Sequence, residues 1–268
     1  MSHDFNYRIL DEVGHRPWTM PRGPWIMRQT WHDLLFAHWA VDPPRLAAVI
    51  PPRLELDVFD GRAWLGVVPF RMTNVAPRGV PALPWLSAFP ELNVRTYVRI
   101  GEKPGVYFFS LDASNRPAVS VGRALFRLPY HWASMHVEQR GDEIHYVSQR
   151  HGSRAARLVA TYRPAGPVFH AREGSLEYFL TERYCLYTVD AKGKTFTVDI
   201  HHPPWPLRAA SAEIFVNTMA DPIGLQLAAP ADAVAGAPVL HFAKRQDMVS
   251  WRLVHTTAKS RSGGPRWT

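Results

Sequence analysis

Apolar and polar residues alternate along short runs of the chain, and this pattern predicts strands. Residues 54–59 alternate in this way, and Asp60-Gly61 directly after them is the strongest hairpin signal in the chain. Residues 63–72 are therefore predicted to form the partner strand. The dense apolar run at residues 31–39 predicts a buried strand. The chain is accordingly expected to consist mainly of strands.

Two further strands, at residues 91–99 and 106–111, are predicted around a turn at residues 101–105. Because side chains alternate between the two faces of a strand, four polar side chains of the first strand share one face. Such a face is either solvated or lines a polar cavity, and in a closed barrel one face looks inward. Both interpretations stay open for these four residues, which are Glu91, Asn93, Arg95 and Tyr97.

The rest of the chain adds hairpins and a few short helices. Helices are predicted after Asp42, between Asn115 and Pro129, and after Ser175, because these residues are typical of helix caps and stops. The pattern does not decide between helix and strand for residues 209–218. Further strands are predicted at residues 135–150, 157–163, 183–190, 195–201 and 239–254. The predicted fold class is mainly β (α+β), with a large, mostly antiparallel sheet curled into a barrel or cone.

The domain organisation follows from prolines and composition. Pro17, Pro21 and Pro24 predict an irregular N-terminal arm over residues 1–25. No fixed repeat or break in composition divides the remainder, so residues 26–256 are predicted to form a single β-rich domain. Residues 257–268 combine Lys, Arg, Gly, Ser and Pro and are predicted to form a flexible basic tail.

Composition and charge narrow the classes of function. The chain has 268 residues, 46% of them hydrophobic, without a long apolar run or an apparent secretory leader, so we expect a cytoplasmic, non-membrane protein. Its single cysteine, Cys185, lies in an apolar strand pattern and is expected to be buried. The net charge of +8 comes from scattered single residues, which argues against nucleic-acid binding. Association with further copies of the chain is left open.

Motifs for common cofactors and metals are absent from the sequence. It contains no G-x-G-x-x-G, P-loop, G-x-S-x-G or paired cysteines. The thirteen histidines do not fall into metal-ligand spacings, and His201 and His202 should point to opposite faces of a strand. We therefore predict neither a cofactor nor a metal site.

The stretch PAVSVGR, which begins at Pro117, leads through Pro129 to Tyr130 and His131. Two polar, titratable side chains directly after a helix-stopping proline mark a candidate site. The alternative interpretation is that both residues cap the helix and pack beneath a loop.

These residues resemble a segment of acetoacetate decarboxylase, in which P-A-(I/V)-x-V-G-R is followed by P-K-K. The fragment MPRGPW, around Arg22, is similar to that enzyme's N-terminal motif. Most of the chain, about residues 29–251, resembles more closely the YqjF-like family of uncharacterised bacterial proteins, which is grouped with the acetoacetate decarboxylase-like fold. The segments that carry this second resemblance are QTWHDLLFAHW, LDVFDGRAWLGVVPF, FPELNVRTYV, GVYFFSLDA, SLEYFLTERYCLY and HHPPWPL.

The chain departs from the decarboxylase where its two lysines stand, since Tyr130 and His131 occupy those positions. The first lysine forms the Schiff base and the second lowers its pKa, whereas a phenol or an imidazole cannot form an imine with a ketone. The resemblance therefore implies a cavity for a small carboxylate or keto acid, with lyase-like acid/base chemistry and no covalent imine. The predicted catalytic residues are His131, Tyr130 and Glu91, and the predicted substrate-binding residues are Arg22, Arg95 and Arg123.

Other functions are kept beside this hypothesis. A non-catalytic protein that binds a small ligand on the same scaffold would also have lost the lysine. The aromatic loop at residues 77–90 could instead serve a structural role. Lys244, in a strand-like stretch, is the one lysine that could replace the missing nucleophile.

Overall fold

The computed structural model describes residues 4–227 and 236–256, and the strands in this part of the chain join into one sheet. Four short α-helices lie between the strands: α1 (Pro43–Ala47), α2 (Pro84–Ser87), α3 (Arg116–Phe126) and α4 (Leu176–Thr181). The strands are β1 (Met27–Val41), β2 (Glu55–Leu56), β3 (Ala63–Pro77), β4 (Phe89–Ile100), β5 (Lys103–Ala113), β6 (Tyr130–Arg140), β7 (Glu143–Arg150), β8 (Ala156–Phe169), β9 (Cys185–Val189), β10 (Thr195–His201), β11 (Leu207–Asn217), β12 (Val239–Ser250) and β13 (Val254–His255).

The sheet closes on itself because β4 pairs with β5. The resulting ring runs β4–β5–β6–β7–β8–β11–β12–β1–β3 and returns to β4. A second ring shares the wall β12–β1–β3–β4–β5, since β9 and β10 connect β5 to β12. Neighbouring strands are antiparallel, except that β5 runs parallel to β6 and to β9. The predicted mainly antiparallel sheet, curled on itself and with few helices, is confirmed.

The two faces of the shared wall look into different interiors. One face packs into a large hydrophobic core, in which Leu92 and Val94 of β4 join Tyr146, Tyr162 and Phe242. The other face of β4 looks into the second ring and carries the polar row predicted from the alternation. Packing apolar side chains on one face only is what allows β4 to form the boundary between a filled interior and a hollow one.

A β-bulge changes the register between β4 and β5. The pairing between β4 and β5 shifts by one residue between Val94 and Arg95, so that Leu111 lies opposite Asn93 while Phe108 lies opposite Arg95. Because one extra residue in a strand reverses the side-chain alternation beyond it, both Leu111 and Phe108 can face the second ring.

Several local expectations are resolved by the structure. Residues 209–218, left undecided from the pattern, lie largely in strand β11. The loop at residues 77–90 contains α2.

The N-terminal arm, expected to be irregular, contains a 3-10 helix at Tyr7–Asp11, which ends before the first of the three prolines. Phe5 and Ile9 of this arm are buried in one cluster with Val249 of β12 and with Trp251, which follows that strand. The predicted tail at residues 257–268 lies outside the described residues. Within the described ranges, no helix is both long and apolar enough to cross a bilayer.

A buried ion pair ties β5 to β7 across β6. The guanidinium of Arg150 donates from Nε to both carboxylate oxygens of Asp112, at 2.8 and 3.0 Å, and from Nη2 to the Ser110 hydroxyl at 2.7 Å. Asp112 is fully buried and Arg150 only 2% exposed. Burial raises the pKa of Asp112 to about 6, against the opposing effect of the Arg150 charge. The charge of this carboxylate is therefore tolerated only because Arg150 accompanies it.

Replacing Arg150 with Met should lower the free energy of unfolding by about 3–5 kcal/mol, because Asp112 would be left buried without its partner. Urea denaturation at pH 7 measures this difference. The matched control is Arg140→Met, which breaks the exposed Arg140–Glu138 pair and should leave the urea midpoint unchanged. Equal midpoints for the two variants would contradict a structural role for the buried pair.

Candidate functional site

A cavity of about 100 Å³ lies on the polar face of the shared wall, between that wall and β9, β10 and the end of α4. Since one water needs about 10–15 Å³ of such space, the cavity has room for several waters or one small organic molecule. Its lining is mainly apolar. The polar lining residues are Gln29, Glu91, Asn93, Arg95, Tyr130, Thr181, Arg183, Cys185, His202 and Ser250.

Glu91 and Tyr130 form the titratable pair of this cavity. The Tyr130 hydroxyl donates to Glu91 Oε2 at 2.9 Å, and Glu91 is only 3% exposed. Burial raises the pKa of Glu91 to about 8, although the hydrogen bond from Tyr130 opposes this shift. Burial and the nearby Glu91 also raise the pKa of Tyr130. At neutral pH both members of the pair are therefore uncharged: Glu91 is a protonated carboxyl and Tyr130 a phenol. The protonated carboxyl can donate a proton to a ligand.

Tyr130 is positioned by the helix that precedes it. Asn115 caps α3 by accepting from Ala118 N at 3.0 Å, and the helix ends at Phe126, ahead of Arg127 in a left-handed conformation. This local order places Gly122 against the Tyr130 ring, where a Cβ would stand only 2.5 Å from the ring carbons. The next residue, Arg123, donates from Nε to the Tyr130 carbonyl at 2.7 Å. The glycine and arginine of the VGR motif therefore help to position Tyr130, the glycine by leaving room for its ring and the arginine by binding its carbonyl.

Arg95 brings a positive charge to the same wall. Its guanidinium carbon lies 5.2 Å from the centre of the Phe36 ring, and Nη2 donates to the Leu180 carbonyl at 3.2 Å. Within the described residues Arg95 has no ion pair with a carboxylate, and its buried Nε has no hydrogen-bond partner. Arg183, the other arginine of the lining, is paired with Asp57 at 2.7 Å. Arg95 is thus the lining arginine available to an anionic ligand.

Two more polar atoms of the lining residues lack partners in the described part of the chain. These are the amide oxygen of Asn93 and the indole N–H of Trp205, on side chains that are 5% and 2% exposed. Buried polar groups in proteins are almost always hydrogen-bonded, to protein atoms or to water. Together with Arg95 Nε they indicate a hollow that a polar molecule completes.

His202 also lines the cavity and is neutral. Its Nδ1 contacts the Pro203 carbonyl at 2.7 Å, its ring stacks on Tyr184 with centroids 4.7 Å apart, and burial lowers its pKa to about 4. The preceding His201 instead contacts the Ile9 carbonyl of the arm at 2.7 Å. The side chains of these two consecutive histidines, at the end of β10 and directly after it, therefore lie in different surroundings.

His131 lies outside the cavity, contrary to the expectation that it lines the pocket. In the β5–β6 pairing, Leu111 lies opposite Tyr130, and Asp112 lies opposite His131. Because consecutive strand residues point to opposite faces, Tyr130 enters the cavity and His131 does not. Burial, followed by the charges of Arg150, Arg123 and Arg154, lowers the pKa of His131 to about 4.

Two of the three predicted substrate-binding arginines also lie away from the cavity lining. Arg22 is exposed in the N-terminal arm, and Arg123 is exposed on α3, where it holds the Tyr130 backbone. Of the three predicted arginines, Arg95 alone lines the cavity. The predictions for Arg22 and Arg123 rested on a motif resemblance, which identifies a segment of the chain but not the direction of each side chain.

Lysine is missing from the cavity lining within the described residues. Lys244 is half-exposed, and its ammonium is paired with Asp33 at 2.6 Å. Lys103 is likewise paired, with Asp199 at 2.5 Å. Lys192 and Lys194 lie at the β9–β10 turn. In the described ranges, no three His, Cys, Asp or Glu side chains are grouped so that they could hold a metal ion.

Asn93, Arg183, His202 and Trp205 were not predicted as site residues. Asn93 had a signal in the sequence, because it shares the period-two face with Glu91 and Arg95. Arg183, His202 and Trp205 come from segments about ninety residues or more further along the chain, and only the closure of the second ring brings them to β4.

Comparison with known proteins identifies relatives that match most of the chain. The profile of the DUF2071 family, described as an uncharacterized conserved protein, matches residues 28–247. The uncharacterized protein YqjF of Bacillus subtilis is 50% identical over 235 residues, which cover 88% of this chain and 94% of that protein.

Solved structures with the same fold are more distant in sequence. Acetoacetate decarboxylase from Legionella pneumophila is 14% identical, with a TM-score of 0.58 over 93% of this chain and 95% of that one. The enduracididine biosynthesis enzyme MppR, complexed with pyruvate, is 11% identical, with a TM-score of 0.59 over 92% of this chain and 95% of that one. An acetoacetate decarboxylase-like enzyme from Sphingomonas wittichii is 14% identical, with a TM-score of 0.57 over 92% of this chain and 100% of that one. The fold is therefore acetoacetate decarboxylase-like.

Replacing Gly122 with Ala should destabilise the protein by about 1–3 kcal/mol, because the added methyl group forces the Tyr130 ring away from Glu91. At an unobstructed helix position the same change would stabilise by about 1 kcal/mol, so the sign of the effect is diagnostic. Chemical denaturation measures it, and Gly14→Ala, which adds a methyl group in open space, is the control. In a Tyr130→Val background the penalty should disappear; a penalty that persists there would contradict the contact.

Proposed function

The chain belongs to the DUF2071 family, and we propose that it binds a small carboxylate or keto acid in the cavity and acts on it by acid/base chemistry without a covalent imine. Three lining residues carry this proposal. Arg95 would hold the carboxylate, and Glu91 supported by Tyr130 would be the proton donor and acceptor. The observation on which it rests most is that an arginine without a carboxylate partner shares one face of β4 with a buried carboxyl that keeps its proton.

Arg95 suits a carboxylate for geometric and electrostatic reasons. A guanidinium presents parallel N–H groups that match the two oxygens of a carboxylate. The mainly apolar lining weakens screening by solvent, so an ion pair formed there would be stronger than one on the surface. Phe36, against which the guanidinium packs, restricts its movement and lowers the entropy lost on binding.

Glu91 suits proton transfer to a carbonyl compound. In a 3-oxo acid such as acetoacetate, a proton donated by Glu91 to the carbonyl oxygen would offset the negative charge that develops there as the bond between the α-carbon and the carboxylate breaks, so that CO₂ leaves and the product is an enol. Tyr130 would then stabilise the resulting Glu91 carboxylate through the hydrogen bond that it already donates. The pyruvate complex of MppR, a structure of the same fold, supports a keto acid as the class of ligand to test first.

A second candidate function is ligand binding without catalysis. The absence of lysine from the lining, within the described part of the chain, favours it as much as it favours imine-free chemistry. Product analysis separates the two. A keto acid that raises the melting temperature and is recovered unaltered after long incubation would support binding alone. Mass mapping after borohydride treatment tests the imine directly, and a modified Lys244 would exclude both candidates as stated.

The roles proposed from the resemblance for His131, Arg22 and Arg123 remain predictions. Their positions favour a contribution made without contact to the ligand. His131 follows Tyr130 on β6 and points to the opposite face, and Arg123 binds the Tyr130 backbone. A cytoplasmic location and the absence of nucleic-acid partners likewise remain expectations from the sequence.

Pyruvate and acetoacetate should raise the melting temperature of the protein, and Arg95→Met should weaken their binding by about 10- to 100-fold, as expected for a lost hydrogen bond to a charged group. Calorimetric titration measures the Kd. Arg99→Met, on the same strand but outside the lining, is the matched control and should bind normally. Binding that survives Arg95→Met would place the carboxylate elsewhere.

Binding of a carboxylate should weaken as the pH rises through about 8, because Glu91 loses its proton there and its negative charge then repels the ligand. The Glu91→Gln variant should show a flat profile over the same range, since its amide stays neutral. Titrations between pH 6 and 9 at constant ionic strength test this expectation. A profile for Glu91→Gln that falls as steeply as that of the unaltered protein would assign the dependence to another group.

A further inference from the structure

The apolar part of the cavity lining extends well beyond the polar row on β4. Residues from β5, β10, β12 and the end of α3 pack there as one buried cluster that also faces the hollow. Phe108 and Leu186 extend this surface at its edge. The lining members of the cluster are Leu111, Phe126, Leu128, Val198, Ile200 and Met248.

The charged groups of the lining, in contrast, are confined to one side. Glu91 and Arg95 stand in the single row on β4, and Arg183 follows α4 with its charge already paired to Asp57. The strand next to that row presents apolar neighbours, since Leu111 lies opposite Asn93 and Phe108 opposite Arg95. The hollow therefore has a polar edge along β4 and an apolar body across β5 and β10.

A ligand that matches this cavity must have a charged or polar group at one end and an apolar group at the other. We propose that the cavity selects carboxylic acids with a branched-alkyl or aryl side chain, in particular 2-oxo acids of that kind, over short polar acids. This inference rests on the proposed function, because it places the carboxylate at Arg95. It adds that the affinity comes mainly from the other end of the ligand.

The physical reason is the difference between filling and wetting an apolar surface. Pyruvate at Arg95 would leave the apolar cluster facing either empty space or waters that have few polar partners there. An isobutyl or benzyl group would replace those waters and contact the cluster. Each additional buried carbon contributes a roughly fourfold gain in affinity.

Calorimetric titration with three probes tests the inference: pyruvate, 4-methyl-2-oxopentanoate, and the neutral ketone 4-methylpentan-2-one. The branched acid carries three more carbons than pyruvate, so it should bind about 50-fold more tightly. The ketone keeps the apolar group but lacks the carboxylate, and it should bind at least tenfold more weakly than the branched acid.

A pair of variants assigns the preference to the apolar cluster. Val198→Thr keeps the shape of a fully buried lining side chain but replaces one methyl group with a hydroxyl, and it should reduce the preference for the branched acid by about tenfold. Val67→Thr makes the same change in the filled core and should leave the preference intact. An unchanged affinity for pyruvate shows that each variant retains a folded site.

The outcomes separate this inference from the proposed function. Equal affinities for pyruvate and the branched acid would overturn the selectivity while leaving carboxylate binding in place. A ketone that binds as tightly as the branched acid would overturn carboxylate binding at Arg95 and with it the proposed function. A preference that Val198→Thr does not alter would place the apolar group of the ligand away from β10.

Discussion

Strand β4 is buried on both faces, and the alternation of its side chains determines what each of the two interiors contains. Leu92 and Val94 fill the hydrophobic core, whereas Glu91, Asn93 and Arg95 face the cavity. A slip of one residue in the pairing of β4 would bury a carboxyl and a guanidinium in the apolar core. The register that gives the lowest free energy for folding is therefore also the register that places the polar row in the cavity lining.

The cavity face of β4 is nevertheless unfavourable for stability. Glu91 is held in an environment that keeps its carboxyl protonated, and three polar atoms of Asn93, Arg95 and Trp205 lack hydrogen-bond partners among the described residues. A core built for stability alone would place apolar side chains at these positions. Such a local loss of stability is typical of functional sites. Here the filled core on the other face of β4 offsets it.

The architecture and the polar row were predictable from sequence because both follow from local periodicity. The alternation at Glu91, Asn93 and Arg95 predicts their shared face without any knowledge of the fold. The same rule, applied to Tyr130 and His131, would have separated them, but only once residue 130 is recognised as the first residue of a strand and not the end of a loop. The contribution of His202 and Trp205 could not be predicted, because it depends on closure of the second ring through β9 and β10.

The junction between α3 and β6 explains how one scaffold can support different chemistry. Gly122 leaves room for the ring at position 130, and Arg123 holds the carbonyl of that residue, whose partner on β5 is Leu111. Only the ring contact depends on the side chain, since the other two involve the backbone. In the resemblance to acetoacetate decarboxylase, this position carries the imine-forming lysine. A change from amine to phenol there would preserve the junction and remove the nucleophile, and Glu91, which accepts the hydrogen bond of that phenol, would keep its place in the cavity lining.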